Sequence, residues 1–351
     1  MSRPLYGMPL DLVNGRVEGI HGNGGRGSAQ LVDEIFLPSF DNPWLRELGD
    51  QARLDLCGGG WAMSTDSYVV SPYFFPGGDI GSLAIHGTVN DLAMGGAVPM
   101  YLTASFILEE GFFLRDLVRI AASMGRAARQ AGVALVAGDT KVVERGKGDG
   151  IYINTAGIGK IPAGVSLDAT AIRPGDALLL SGPIGDHGAA ILSAREGWGF
   201  SSSLRSDSAP LHSLVACMIE AAPGLVCLRD PTRGGVATSL NEWAQKTGMV
   251  LSILEDRIPV RDGVKGVCEL LGLDPLYLAN EGRLLGACRP DESGMLLEAM
   301  KKHPDGKEAV VIGEVGEPAP GMEGGIVRMI TPMGGVRRVD WLRGDPLPRI
   351  C

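Results

Sequence analysis

Apolar positions recur along this chain with two different periods. In residues 101–109, Leu102, Ala104, Phe106 and Leu108 alternate with Thr103, Ser105 and Ile107, the pattern of a half-buried strand. Residues 82–94 place Ile85, Val89, Leu92 and Ala93 on one helical face, and residues 114–131 align Leu114, Leu117, Val118, Ala121, Met124 and Ala128. With further strands expected at 61–70, 133–137 and 151–158, two helices on one side of a small sheet predict an α+β domain. The turn-rich stretch from Gly159 to Gly175, which holds Pro162 and Pro174, marks a boundary. Strands are then expected at 177–181, 249–254, 283–287, 308–315 and 325–330, with helices at 186–196, 210–221, 234–247, 262–271 and 291–302, giving a second, α/β sandwich-like domain. The expected organisation is a leader (1–20), a first domain (21–165), a second domain (166–340) and a tail (341–351).

Composition narrows the possibilities. A chain of 351 residues with 45% apolar content is long enough to bury two cores. A net charge of −9 argues against a general binder of nucleic acid or membrane surfaces. It leaves phosphate binding open, because backbone N–H groups and metals can do that work. The six cysteines, at 57, 217, 227, 268, 288 and 351, contain no CxxC pair and no zinc-like spacing. They fit a reducing, cytoplasmic setting, and neither a signal peptide nor a membrane-length apolar run is visible.

Several stretches carry candidate chemistry. His21-Gly22-Asn23-Gly24-Gly25-Arg26-Gly27-Ser28 is a glycine loop ahead of an expected helix capped by Ser28. It could cover phosphates, although it lacks the Gly-Lys-Ser/Thr of a P-loop. Asp66 lies at an expected break between two strand halves, Asp91 lies off the apolar face of the helix at 82–94, Asp139 follows the strand at 133–137, and Asp230 precedes a helix. Carboxylates gathered from separate elements are how magnesium is held against phosphates. Each alone is equally a turn or capping aspartate, and spacing does not show that the four converge. The chain ends Pro346-Leu347-Pro348-Arg349-Ile350-Cys351. The prolines favour an extended arm with a thiol at its tip, where a frayed end is the ordinary alternative.

Thr65-Asp66-Ser67, the run Val89-Asn90-Asp91-Leu92-Ala93-Met94-Gly95-Gly96-Ala97 and Gly138-Asp139-Thr140 resemble the ATP-binding motifs of the aminoimidazole-ribonucleotide synthetase-like (PurM-like) superfamily. The stretches Phe75-Pro76-Gly77-Gly78, Gly185-Asp186-His187-Gly188, Arg229 to Gly235, Ala279-Asn280-Glu281-Gly282 and the terminal Pro-Arg-Ile-Cys narrow the likeness to the HypE family of hydrogenase-maturation carbamoyl dehydratases. The likeness covers residues 21 to 351, and residues 1–20 lie outside it.

The resemblance implies two α+β domains, a homodimer formed by pairing of the first-domain sheets, and ATP in a cleft between the domains. It implies that Asp66, Asp91, Asp139 and Asp230 hold Mg2+ and the ATP phosphates. Asn90, Thr140 and the loop with Gly24 and Gly25 would contact or cover the nucleotide. Cys351 would carry a carbamoyl group placed by the carbamoyltransferase HypF. ATP-dependent dehydration would turn it into a thiocyanate, and the cyano group would pass to iron on the HypC–HypD complex. Glu281 and Lys141 are the candidates for removing a nitrogen proton, and His187 is either structural or substrate-lining. Two other readings stand beside this one: a related ATP-dependent kinase or cyclo-ligase acting on a free substrate, and a nucleotide-responsive scaffold.

Overall fold

The computed structural model describes residues 8–11, 25–31, 33–34, 46, 52–56, 59–195, 204–318, 324–342 and 349–350. The first sheet has the order β1-β2-β7-β5-β6. Its strands are β1 (Ala52–Leu56), β2 (Gly59–Tyr68), β5 (Val98–Glu109), β6 (Ala134–Val143) and β7 (Ile151–Lys160), with a small hairpin of β3 (Phe74–Phe75) and β4 (Gly78–Asp79) alongside. The β5–β6 pair is parallel and the other pairs of the sheet are antiparallel. The second sheet has the order β14-β13-β10-β12-β8-β11-β9. It comprises β8 (Ala177–Leu180), β9 (Leu225–Arg229), β10 (Val250–Leu254), β11 (Leu285–Cys288), β12 (Val310–Gly316), β13 (Ile326–Ile330) and β14 (Val336–Val339).

Eight α-helices occur among the described residues: α1 (Gly25–Leu31), α2 (Ile80–Met94), α3 (Leu114–Gln130), α4 (Asp186–Ala194), α5 (His212–Ala221), α6 (Gly235–Thr247), α7 (Asp262–Leu271) and α8 (Ser293–Lys302). The helix α2 does the joining. Asp79 caps it by accepting from Gly81 and Ser82 N–H, while the Ser82 hydroxyl accepts from the Asp79 N–H, a reciprocal arrangement that satisfies otherwise orphaned donors. One side of α2 packs on β2 and β7, and another meets α5 and β9 of the second half. Only Ser82 and Asp91 on this helix are not buried. Close approach to β7 is possible because residue 157 is glycine: a Cβ there would lie 2.5 Å from Leu102 and 2.9 Å from Leu92 and Thr88.

The periodic segments fold as their patterns predict, and the departures have physical causes. β6 runs on to Val143 beyond the expected end at residue 137, so Asp139 lies inside the strand, opposite Ser105. Gly138 permits this, since a Cβ there would stand 2.6 Å from the Ala104 carbonyl. β2 is unbroken through Asp66, where a break was expected. The first helix begins at Gly25, in a left-handed conformation, so Ser28 lies inside it and does not precede it. The strands β9 and β14 and the β3–β4 hairpin carry too little alternation to be read from pattern, while β1, Ala52-Arg53-Leu54-Asp55-Leu56, alternates and was overlooked. Among the described residues no helix is long and apolar enough to cross a membrane.

Candidate functional site

The pairing of β2 with β7, and the burial of α2 beneath them, turn Asp66 and Asp91 toward the turns that end β9 and precede β11. There Asp230 and Glu281, both nearly fully buried, complete an acidic cluster. The Ser64 hydroxyl donates to Asp91 Oδ2 at 2.6 Å, which fixes that carboxylate on its helix. Asp66 Oδ1 accepts from the Ser67 N–H at 2.7 Å, and the Arg233 guanidinium stands 3.9 Å away. Burial raises the Asp66 pKa and Arg233 opposes it. Glu281 is only 3% exposed and its Oε1 has no hydrogen-bond partner. Burial first, then Asp230, Asp66 and Asp207, push its carboxyl well above the usual carboxylate range. Acids forced together in this way are the electrostatic mark of a site made for cationic or proton-accepting work.

The turn carrying Glu281 is held unusually tightly. Asn280 accepts from the Gly185 N–H at 2.7 Å and donates to the Pro231 and Leu278 carbonyls. The Asp207 carboxylate accepts from the N–H groups of Glu281 and Gly282 at 3.2 and 3.3 Å, with Arg283 at 3.8 Å. Gly282 allows the approach, because a Cβ would collide with the Asp207 carbonyl. Glu281 is thus held by its backbone while its Oε1 is left without a hydrogen-bond partner.

Other expected site residues fall elsewhere. Asn90 donates to the carbonyls of Ala209 and Glu281 and accepts from the Leu211 N–H at 2.8 Å, so its side chain is committed to joining the two halves. Asp139, Thr140 and Lys141 are on the exposed edge strand β6. Lys141 Nζ sits 2.7 Å from Asp139 Oδ2, and this contact with the Thr140 N–H holds the Asp139 carboxyl below its ordinary range. The Asp139 row runs through Ser105 and Asn154 to Ser67, three strand spacings or about 14 Å from the Asp66 neighbourhood. Within one chain Asp139, Thr140 and Lys141 are therefore separate from Asp66, Asp91, Asp230 and Glu281. Gly25 starts α1 against Leu342, while Gly24 and Cys351 lie outside the described residues.

Three participants escaped the sequence reading. Tyr68 is fully buried with its hydroxyl near Asp66, Asp91 and Glu281, which with burial raise its pKa. Asp207 sits in a stretch with no regular pattern. Arg233 was noted only as part of a turn, although an arginine beside Asp230 is a charge signal.

The tail reaches the same region. Ile350 is buried in the core that holds Tyr68, Phe75, Leu204 and Leu278. Its carbonyl accepts from His187 Nε2 at 3.0 Å, while His187 Nδ1 contacts the Ser206 hydroxyl at 2.8 Å. His187 is fully buried and lies edge-on to Phe75 at 5.5 Å, so it lines the seat of the tail. Three of the described cysteines are unsuited to chemistry: burial pushes Cys268 up to about 11 and Cys288 up to about 12, and Cys227 higher still.

Two family models cover most of the chain, the AIR synthase related protein N-terminal domain over residues 48–161 and its C-terminal domain over residues 173–321. The chain is 56% identical over 342 residues to the carbamoyl dehydratase HypE of Azotobacter vinelandii, covering 97% of this chain and 99% of that one. A solved HypE structure in complex with ATP is 50% identical with a TM-score of 0.80, covering 94% of this chain and 98% of the other. A HypE–HypF complex gives 46% identity and a TM-score of 0.83, covering 88% and 99%.

Proposed function

This chain belongs to the HypE carbamoyl dehydratase family of AIR synthase related proteins, and from that premise we propose that it dehydrates a carbamoyl group carried on the sulfur of its own Cys351. The product is an S-cyano group destined for the iron of a nickel–iron hydrogenase. ATP is the co-substrate, as its binding by a close structural relative suggests. HypF, found in complex with another relative, is the donor of the carbamoyl group, and the HypC–HypD complex is the acceptor of the cyanide.

The observation that carries this reading is the buried Glu281 carboxyl, whose Oε1 has no partner, beside Asp66 and Asp230, with the tail seated nearby. A carbamoyl oxygen is a poor leaving group, and ATP supplies the phosphoryl group that makes it a good one. Asp66, Asp91 and Asp230 suit Mg2+ through their oxygen chemistry and their mutual repulsion. Among the described residues no three or more His, Cys, Asp or Glu groups form a complete cage. Magnesium commonly takes one or two carboxylates together with waters and phosphate oxygens, which is the arrangement proposed. Glu281, whose pKa burial raises above that of an ordinary carboxylate, binds a proton more strongly and has the character of a general base for a nitrogen proton.

On this reading residues 21–165 bind nucleotide and pair with a second copy, residues 166–340 close the cleft, and residues 341–351 deliver the thiol. The edge strand β6 exposes Leu135, Val136 and Val142 together with Asp139, a template for pairing with another chain. Asp139, Thr140 and Lys141 would then serve the site of the partner copy.

Intact-mass analysis tests the proposal. With HypF, carbamoyl phosphate, ATP and Mg2+, the chain should gain one carbamoyl group and then lose one water. Cys351→Ala should show neither change. ATP turnover by that variant on a free metabolite would replace this reading with a small-molecule kinase or cyclo-ligase. No ATP consumption by the parent chain under any of these conditions would leave a scaffold.

A further inference from the structure

Two buried polar atoms of the acidic cluster have no hydrogen-bond partner among the described residues, the Tyr68 hydroxyl and Glu281 Oε1. Tyr68 is 1% exposed and Glu281 3%, and an unpaired polar group in so dry a place is costly enough to call for a reason. The alternation of β2 turns Ser64, Asp66 and Tyr68 to one face, which directs the phenol toward the acids. Asp66 and Thr88 stand beside the hydroxyl without bonding geometry. α2 makes room with a glycine, although glycine is disfavoured inside a helix. A Cβ at residue 87 would lie 2.3 Å from the Tyr68 oxygen.

The neighbouring donors are already committed. Ser64 gives its proton to Asp91. Thr155 donates to the Ala84 carbonyl, so Thr88 donates to Thr155. The Asn90 amide serves the carbonyls of Ala209 and Glu281. Burial, then Asp66 and Asp91, push the Tyr68 pKa well above that of an ordinary phenol, so the hydroxyl keeps its proton and offers it. The two open atoms are therefore one neutral donor and one carboxyl oxygen. A planar carbamoyl group presents the complement, an oxygen that accepts and a nitrogen that donates.

We propose that Tyr68 is a catalytic residue, its hydroxyl donating a hydrogen bond to the carbamoyl oxygen of the loaded chain while Glu281 Oε1 accepts from the nitrogen of the same group. Tyr68 in this role presupposes the dehydratase reading and adds a second contact to the group that Glu281 deprotonates. Ile350 shares the core that holds Tyr68, one residue short of the thiol. In the reaction the γ-phosphoryl group of ATP bonds to the carbamoyl oxygen, which then leaves carbon as phosphate with the C–O electron pair. The nitrogen gives up both its protons, and its electrons complete the triple bond to carbon. One proton ends on the phosphate and the other passes through Glu281 to solvent, while Tyr68 keeps its own. The tyrosine bond aims the oxygen and steadies the negative charge that gathers there, among carboxylates that repel it.

Tyr68→Phe removes the oxygen and breaks no hydrogen bond, so the variant should melt at or above the parental temperature. It should take the carbamoyl group from HypF and bind ATP as the parent does. Loss of water in a single turnover should slow about 10²-fold, a fall in kcat with the KM for ATP unchanged. An early melt, or dehydration at the parental rate, would overturn the proposal. Infrared spectra of an isotope-labelled carbamoyl group read the contact without turnover. In the Glu281→Gln background, which retains the group, adding Tyr68→Phe should move the carbonyl stretch to higher frequency, and an unmoved stretch would also overturn the proposal. A parent chain that is loaded but never loses water removes the dehydratase reading, while the stretch still decides on Tyr68. A parent chain that takes no carbamoyl group removes both.

Discussion

Asn90 donates its side-chain amide to the main-chain carbonyl of Glu281 at 3.3 Å, joining α2 of the first sheet to the turn that presents the buried acid. The same amide reaches the Ala209 carbonyl at 3.0 Å. Asn90→Asp would set an anion against two carbonyl oxygens in a dry site. We expect a loss of about 3 kcal/mol in stability and weaker ATP binding, read by urea unfolding and by calorimetry. Unchanged values for both would remove Asn90 from the joint between the halves.

Glu281→Gln keeps the shape and removes the acid. As a candidate general base, Glu281 should be worth 10²-fold or more in the dehydration step, on the order of such groups elsewhere. Its carboxylate is buried beside other acids, so its neutralisation should leave the melting temperature equal to or above that of the parent. A single-turnover assay on the carbamoylated chain, paired with a thermal melt, reads both. A slow enzyme that also melts early would point to a structural role instead.

His187 should make stability depend on pH. Burial lowers its pKa from 6.5 to about 4, so the folded state keeps it neutral where the unfolded state is protonated. As pH falls from 6.5 toward 4 the unfolded state binds more protons and stability drops, by up to about 3 kcal/mol from this residue. The raised pKa values of Glu281 and Asp66 act in the opposite sense, but they are common to parent and variant. The stability difference between the parent and His187→Gln should therefore shrink or invert between pH 7 and pH 5 in urea titrations. A difference that stays flat with pH would contradict the assignment of a neutral, buried imidazole.

Asp66 and Asp139 lie on different strands about 14 Å apart across the sheet, which sets up a complementation test. Asp66→Ala and Asp139→Ala should each be inactive alone. If Asp139 serves a partner's site, mixed dimers contain one intact site, and mixing equal amounts should restore about a quarter of parental activity. No recovery after verified subunit exchange would place Asp139 outside the catalytic arrangement.

Much of the fold is visible in the sequence because burial imposes period on the long elements. α2 and β5 each carry enough apolar positions to be read directly, whereas β9, four of whose five residues are buried, and the short β14 offer no alternation. The acidic cluster was legible as residue types in motifs but not as a convergence. Asp66 and Asp91 meet Asp230 and Glu281 only through the packing of α2 between two halves, a relationship set by contacts such as Asn90–Ala209 and Asn90–Glu281, 119 and 191 positions apart, and invisible to local spacing. Asp139 shows the converse. Its motif resembles that of the other acids, but strand order alone places it at an exposed edge. Tyr68 and Asp207 were missed because a buried tyrosine and a loop aspartate look ordinary until their neighbours are known.

The anchorage of Ile350 also changes what sort of reagent the chain is. A free thiol would meet the acidic cluster at whatever concentration the surroundings supply, whereas one carried on a short segment meets it at an effective concentration in the millimolar range or above. That advantage carries an obligation in stoichiometry. Each chain can hold one cargo at a time and is spent until it is unloaded. The output of the molecule is then governed by how often its end is traded between partners, and the speed of ATP-driven chemistry matters only up to that rate.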